Sequence, residues 1–289
     1  MSQGCNIGIN KLAQTSNGIH ESELDNTVNW YFSLDNVNAA NDRVLSFMKK
    51  LELPVLFKKH PYKTHTSSDG QKYLVTSEAE NANYSFKYAG KDKCLTQYIH
   101  IDDSHLLYFS SVISSSEREA AYVIDGLMHN EVVKSDIHST DTHGYSEIIF
   151  ATMQLLGFVF APRIKNLKDQ ILYSFPTETI KQYQEKGYKI LPTKYIQTEI
   201  IEENWDDILR FIVTIKLKET TASQLFKRLT SYAKQNPLYK ALKSFGQIFK
   251  SLFILKYIDN VELRQDIEKQ LNKIESANKF SKAVQICKK

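Results

Sequence analysis

Hydrophobic and polar positions change period several times along the 289-residue chain. Over residues 21–51, Ala39, Val44, Phe47 and Met48 give partial helical periodicity, and Trp30, Tyr31 and Phe32 add aromatic bulk. A helical segment is predicted there, with Trp30 as a core residue. Leu53-Pro54 and His60-Pro61 end it, and the polar stretch 63–68 follows. Residues 73–76, 95–101 and 106–113 are short and rich in β-branched and aromatic residues, which predicts three strands. Asp102-Asp103-Ser104 marks the turn between the last two. The period then changes. Ser114-Ser115-Ser116-Glu117 has the form of a capping box, and Ala120, Val123, Ile124 and Leu127 recur at helical spacing, so a helix is predicted over 117–129. Residues 137–140 read as a strand, 146–156 as a helix stopped by Gly157, and 158–164 as a buried apolar strand. From Thr177 onward the pattern is almost wholly helical. Leu238, Ala241, Leu242, Phe245, Ile248, Phe249 and Leu252 form one long stripe, and a last helix runs over 261–284.

The order strand, strand, strand, helix, strand, helix, strand predicts an α/β fold with a mixed sheet: an antiparallel meander first, then parallel strands joined by helical crossovers. That is the opening of an RNase H-like fold, here with a large all-helical insertion before the last helix. The expected organisation is a helical lead-in over 1–60, an RNase H-like core over 61–165, a helical insertion over 166–260 and a final helix over 261–289.

Composition narrows the picture. A hydrophobic share of 42% supports a real core and argues against general disorder. Cys5, Cys94 and Cys287 are far apart, without a C-x-x-C pair, which argues against a disulfide framework or a structural zinc site. Residues 1–10 are polar and hold no apolar signal-peptide core, and the run 252–255 is too short to span a bilayer, so a cytoplasmic protein is expected. Charge is unevenly placed. Residues 1–160 hold 13 Lys/Arg against 19 Asp/Glu, and residues 161–289 hold 24 against 14. A basic second half suits a polyanionic partner, and equally suits ordinary solvated helix faces.

Three acids in separate contexts are the candidates for chemistry: Asp69 in Ser67-Ser68-Asp69-Gly70-Gln71, Asp141 in Thr140-Asp141-Thr142-His143-Gly144, and Glu275 in a basic helix. Two-metal cleavage of a phosphodiester needs carboxylates that converge from different elements, and Mg²⁺ takes oxygen ligands while keeping several waters. Each acid also has an ordinary reading. Asp69-Gly70 is turn chemistry, Asp141 could close an Asx turn or cap a helix, and Glu275 could pair with Lys279 at i+4. From spacing alone these alternatives stay open.

Several stretches resemble the catalytic domain of Tn3-family transposases. They are residues 67–71, Tyr122-Val123-Ile124-Asp125-Gly126-Leu127, residues 140–144, Leu156-Gly157-Phe158-Val159-Phe160-Ala161-Pro162-Arg163-Ile164-Lys165-Asn166-Leu167 and Leu271-Asn272-Lys273-Ile274-Glu275. Thr221-Ala222-Ser223, Ser231-Tyr232 with Gln235-Asn236, and residues 252–255 match further, in order, from about residue 4 to 284. The resemblance implies an RNase H-like fold and a DDE triad that maps onto Asp69, Asp141 and Glu275, acting as both catalytic and metal-binding residues with Mg²⁺, or Mn²⁺ in its place. It implies hydrolysis of the phosphodiester at each transposon end by metal-activated water, then attack of the resulting 3′-OH on target DNA. The implied partners are double-stranded DNA, as terminal inverted repeats and as target, and a second copy or a full-length transposase. A bacterial, nucleoid-associated protein is expected. None of the cysteines has a neighbouring base that would activate it, in keeping with a reaction that needs no protein nucleophile.

Other residues are candidates for DNA contact. Arg163 and Lys165 follow a strand expected to end near the acids. Asn278, Lys279 and Lys282 share a helix side with Glu275, and Lys227 and Arg228 belong to the basic insertion. His143 is read as a structural hydrogen-bonding residue, Asp102-Asp103 as a turn and not a metal pair, and Trp205 as a core aromatic. Nothing here resembles the family's N-terminal DNA-recognition domains, and residues 285–289 depart from the family after Val284. These departures lead to the expectation of a catalytic-domain fragment with impaired transposition, and to the alternative of an inactive remnant that only binds DNA or regulates.

Overall fold

The stretch read as a polar lead-in to the first acid is part of a strand. A computed structural model of the chain describes all residues except 1, 6, 61, 76–78, 80, 87–89, 131, 177–179, 232–235 and 287–289. Pro61, Thr76, Thr177, Tyr232, Gln235 and Cys287, which carried expectations above, lie outside the described residues. Strand β1 runs from His65 to Val75. Its Thr66, Ser67 and Ser68 are fully buried. Hydrophobic patterning misses such a strand because its side chains are satisfied by partners instead of being apolar. Thr66 Oγ1 and Ser68 Oγ bond the two ring nitrogens of His138 at 2.8 and 2.9 Å, and Ser68 Oγ also meets Tyr98 Oη at 2.7 Å. Burial holds His138 well below its usual pKa, so the ring is neutral.

The sheet is RNase H-like. Its strands are β1, β2 (Asn83–Tyr84), β3 (Lys93–Asp102), β4 (Leu107–Ser114), β5 (Ile137–Thr140) and β6 (Val159–Phe160). β3 lies antiparallel to β1 on one side and to β4 and the short β2 on the other; β1, β5 and β6 are mutually parallel. β6 is shorter than the strand expected over 158–164, yet its pairing with β5 continues. Ala161 N–H donates to His138 O at 2.8 Å and Arg163 N–H to Thr140 O at 2.9 Å. The helix expected over 117–129 is broken. Glu117 N–H closes a turn onto Ser114 O, Arg118 is extended, Glu119–Ala121 makes one 3-10 turn, and the helix proper covers only Val123–Met128.

In chain order the helices are α1 (Ile9–Thr15), α2 (Glu21–Tyr31), α3 (Leu34–Met48), α4 (Glu52–Val55), α5 (Val123–Met128), α6 (Glu147–Leu156), α7 (Ile180–Glu185), α8 (Thr198–Glu203), α9 (Trp205–Lys216), α10 (Ala222–Ser231), α11 (Pro237–Asp259) and α12 (Val261–Ile286). The region between the sheet and α12 is helical apart from one short parallel pairing of β7 (Tyr173–Ser174) with β8 (Lys194–Tyr195). Trp30, on α2, is 78% exposed, not a core residue, and Trp205 is also exposed, with one edge-on contact to Phe245. No described helix is long and apolar enough to cross a membrane.

Two helices fix the site. α11 starts at Pro237 with Asn236 capping the backbone N–H of Tyr239, and crosses α6 so closely that Gly246 rests on the backbone of Glu147. One turn on, Lys250 Nζ donates to Glu147 Oε1 at 3.0 Å, and this ion pair outweighs burial to hold Glu147 below its usual range. The expected α11 stripe is only partly right: Ala241 and Leu242 are fully buried, but Leu252 is exposed and Ser244, Gln247 and Ser251 are buried in its place. α12 packs Ile267, Leu271 and Ile274, all buried, against the sheet. It is pinned by Gln270, whose Nε2 donates to Ser67 Oγ at 3.2 Å.

Candidate active site

β1 and β5 run parallel, and their last paired residues are Ser68 and Thr140. Asp69 and Asp141 are each the next residue, so the two aspartates leave adjacent strands at the same level. The sheet's twofold alternation puts Ser67, Asp69, Ser139 and Asp141 on the α12 face. Ser68, Gly70 and Thr140 lie on the opposite face. Register alone therefore converges two acids that are 72 residues apart.

Asp69 is only partly exposed. Its Oδ2 accepts from Asn278 Nδ2 on α12 at 2.9 Å. Burial, then the charge of Glu119, then that of Asp141 push its carboxyl up to about 7, against the backbone N–H of Gly70 and the Asn278 amide, which favour the anion. Asp141 does form the Asx turn. Its Oδ1 accepts from the backbone N–H of His143 at 2.9 Å and of Gly144 at 3.0 Å, which aims the carboxylate and fixes the loop into α6. Glu275 lies on α12, three residues before Asn278 and hence one helical turn away. It makes no ion pair with Lys279 among the described residues, so the ordinary reading of a helical glutamate does not describe it.

The structure brings Asp69, Asp141 and Asn278 together, with Glu275 on the adjoining turn. Asn278 is 4% exposed and faces Asp69, not solvent. Arg163 carries its backbone beside the Asp141 loop, while its guanidinium points to Glu268 Oε1 at 3.4 Å. Lys165, Arg228, Lys279 and Lys282 are exposed. Lys227 reaches Glu117 at 2.9 Å across a cleft of about 810 Å³. Lys72, Glu119, Tyr122, His143 and Tyr239 are among the residues that line this cleft, whose rim adjoins the acids.

Sequence reasoning missed Glu119. Its carboxylate lies over Gly70, where an added Cβ would stand 2.4 Å from Oε1. The one available signal was a glycine directly after a candidate acid, facing the helix expected over 117–129. Burial and then Asp141 raise Glu119, and Lys72 and His143 oppose them. Asp102 and Asp103 sit in the β3–β4 turn as expected: Asp102 Oδ1 accepts from the backbone N–H of Ser104 and Leu106 at 2.9 and 2.8 Å.

A divalent cation suits this donor set by charge, since Asp69 is raised in part by the very anions that a cation would neutralise. Asp69 and Asp141 are the residues that could hold it. Among the described residues no three His, Cys, Asp or Glu side chains converge closely enough to form a complete ligand set.

The raised Asp69 has a measurable consequence. In the unfolded chain its pKa is about 3.9, so the folded state binds the proton more tightly. Stability contributed by protonated Asp69 is therefore present at pH 4 and is lost as pH rises to about 7. The variant Asp69→Asn is expected to melt higher than the parent at pH 8 without divalent cations, with the difference closing towards pH 4. Thermal melts across that range check it.

The family described as Tn3 transposase DDE domain matches residues 1–289. The transposase for transposon Tn1546 of Enterococcus faecium is 34% identical over 285 residues, covering 98% of this chain and 28% of that protein. The transposase for Tn2501 of Escherichia coli is 35% identical over 290 residues, with the same two coverages, and that for Tn501 of Pseudomonas aeruginosa is 31% identical over 292 residues, 96% of this chain and 28% of the relative. The chain thus spans little more than a quarter of the length of the curated relatives it matches. With an RNase H-like sheet that sets two aspartates side by side, and a match over its whole length, the chain belongs to the Tn3 transposase DDE domain family.

Proposed function

We propose that this chain carries the catalytic centre for DNA cleavage and strand transfer in transposition, with Asp69, Asp141 and Glu275 as its acidic triad and Mg²⁺, or Mn²⁺, as the metal. The observation that carries the reading is the exit of Asp69 and Asp141 from neighbouring parallel strands under one helix that also bears Glu275. The relatives are named transposases, and a DDE domain implies a divalent metal.

The cation, when bound, supplies Lewis-acid activation of the attacking water or 3′-OH and of the leaving oxygen. The chain's own residues do the holding. Asp69 is oriented by the Asn278 amide, so we read Asn278 as positioning a carboxylate and not as touching DNA. Asp141 is aimed by the turn it closes. Gln270 and Lys273 fix the height of α12: Lys273 Nζ donates to Asp103 O at 2.6 Å and Phe57 O at 3.0 Å, so Glu275 rides on a helix tied at two points. We propose Lys165, Arg228, Lys279 and Lys282 as phosphate contacts, with Lys227 and Arg163 available once their carboxylate partners release them. Double-stranded DNA, as transposon ends and target, is the proposed substrate.

The test is nicking of a transposon-end duplex by this chain in Mg²⁺ or Mn²⁺, together with DNA binding over a salt series. Metal-dependent strand cleavage supports the catalytic reading. Binding that falls steeply with salt, but with no cleavage in either metal, would leave a DNA-binding remnant.

A further inference from the structure

We propose that the cleft beside the aspartates takes an unpaired nucleobase of DNA, with the rings of Tyr122 and Tyr239 as its stacking surfaces. The proposal rests on the reading of this chain as acting on DNA. It adds that the DNA is taken with its strands parted next to the acids.

The first observation is the place and size of the cleft. Its volume of about 810 Å³ lies in the range of pockets that enclose one small organic ligand. A double helix, whose major groove alone is about 12 Å wide, has to lie across the mouth, and only a base parted from its partner can enter. The lining begins close to both acids. Thr142 and His143 directly follow Asp141, and Lys72 follows Asp69 on the same strand, β1. A DNA strand that passes the acids therefore passes the mouth of the cleft.

The second observation is what the walls offer. Tyr122 stands just before α5 and Tyr239 in the first turn of α11. Each packs against the core, is half-buried and lines the cleft. Neither ring meets another aromatic ring among the described residues, whereas Tyr145, also in the lining, already meets Phe150 at 6.0 Å and the Lys250 ammonium at 5.8 Å. Both free rings are held before any ligand arrives. The Tyr122 hydroxyl donates to Glu117 Oε2, and the Tyr239 backbone N–H to Asn236 Oδ1 at 3.3 Å. Buried Ile148, Ile149 and Phe226 complete an apolar lining. A fixed ring without a ring partner is a platform for a planar base, whatever its sequence, because every base has a π-face.

The third observation is the order of charge. Arg118 and Lys227 are exposed, while Glu117 and Glu119 are half-buried. Arg118 is extended where the expected helix breaks, and it makes no ion pair among the described residues. Exposed cations suit the phosphates of a strand that runs along the rim. Carboxylates further in repel a phosphate but accept from the exocyclic amine of a base. The pattern thus fits a neutral base inside with its phosphates outside, and disfavours a free nucleotide, whose phosphate would share the cleft with two acids.

The experiment is binding of the full chain to two probes of one duplex sequence, the first blunt and the second ending in three unpaired deoxycytidines. The parent is expected to bind the extended probe about tenfold more tightly, within what one stacked base contributes. Tyr122→Leu and Tyr239→Leu are each expected to lose most of that preference, with the blunt probe as the reference in every case. Tyr122→Phe and Tyr239→Phe, which keep the ring, are expected to retain it. Light-induced crosslinking from 5-iodocytosine in the extension, mapped by mass spectrometry, is expected to fall on Tyr122 or Tyr239. Equal binding of the two probes by the parent, or a preference that survives both leucine variants, overturns the proposal and leaves the DNA reading standing. Deoxycytidine monophosphate that binds as tightly as the extended probe would make the cleft a free-nucleotide site and also overturns it. If the leucine variants do not fold, the crosslink in the parent decides, and attachment outside the cleft lining counts against the proposal. A parent that binds neither probe removes the DNA reading and this proposal with it.

Discussion

Asp141→Ala is expected to lower metal-dependent nicking of a transposon-end duplex by on the order of 10²-fold or more. Even outer partners of metal ligands cost 10–100-fold, and Asp141 is proposed as a ligand itself. Two separable losses are built into this substitution. The alanine removes a carboxylate beside Asp69, and it also removes the acceptor for the backbone N–H groups of His143 and Gly144. Asp141→Asn separates them, because an amide oxygen can still close the turn. If the charge matters, Asp141→Asn is as inactive as Asp141→Ala but melts like the parent. Cleavage that persists in Asp141→Asn would show that Asp141 serves only to shape the loop, and the triad reading would fail.

Gly246→Ala should be the most destabilising single methyl addition in the described structure. An added Cβ would stand 1.7 Å from the backbone carbonyl oxygen of Glu147. The obstacle is main chain in the first turn of α6, so no side-chain rotation can relieve it. α11 and α6 must move apart, opening the packing of Ile149, Phe150, Met153, Leu242 and Phe253. Overpacking commonly costs 1–3 kcal/mol, and backbone obstruction places this case at about 3 kcal/mol or more. For a chain of this size that is a fall of roughly 6–12 °C in melting temperature, measurable by calorimetry. The lost helix contact should also weaken the Lys250–Glu147 ion pair. An unchanged melting temperature would mean that the two helices do not approach as described.

How much of this was legible in sequence follows from what each element uses to stay folded. Strands β3 and β4 and helix α6 bury apolar side chains, and their patterning revealed them. β1 could not be seen that way, because its buried stretch is Thr66-Ser67-Ser68 and its partners are a neutral histidine, a tyrosine and a glutamine from elements 30 to 203 residues away. β6 looked longer than its ladder, since Ala161 and Arg163 keep bonding to β5 in extended form. Trp30 was misplaced because aromatic bulk in a weakly periodic helix does not say whether anything covers it. At the candidate site, the motifs around Asp69 and Asp141 singled them out, and the parallel register of β1 and β5 sets them side by side. Glu119 was not legible, since its position depends on a helix that breaks and on a side chain that Gly70 lacks. Asn278 was visible as a neighbour of Glu275, but the direction it faces is set by the docking of α12, which no local pattern encodes.

The hydrogen bond from Asn278 to Asp69 joins residues 209 positions apart. A growing polypeptide that has reached residue 260 already holds both aspartates and the sheet that aligns them, but not the amide that orients Asp69. While residues 142–277 are being added, the two acids therefore stand side by side without that amide. The amide that orients Asp69 arrives only with α12, so the order of synthesis sets the aligned strands in place before that contact.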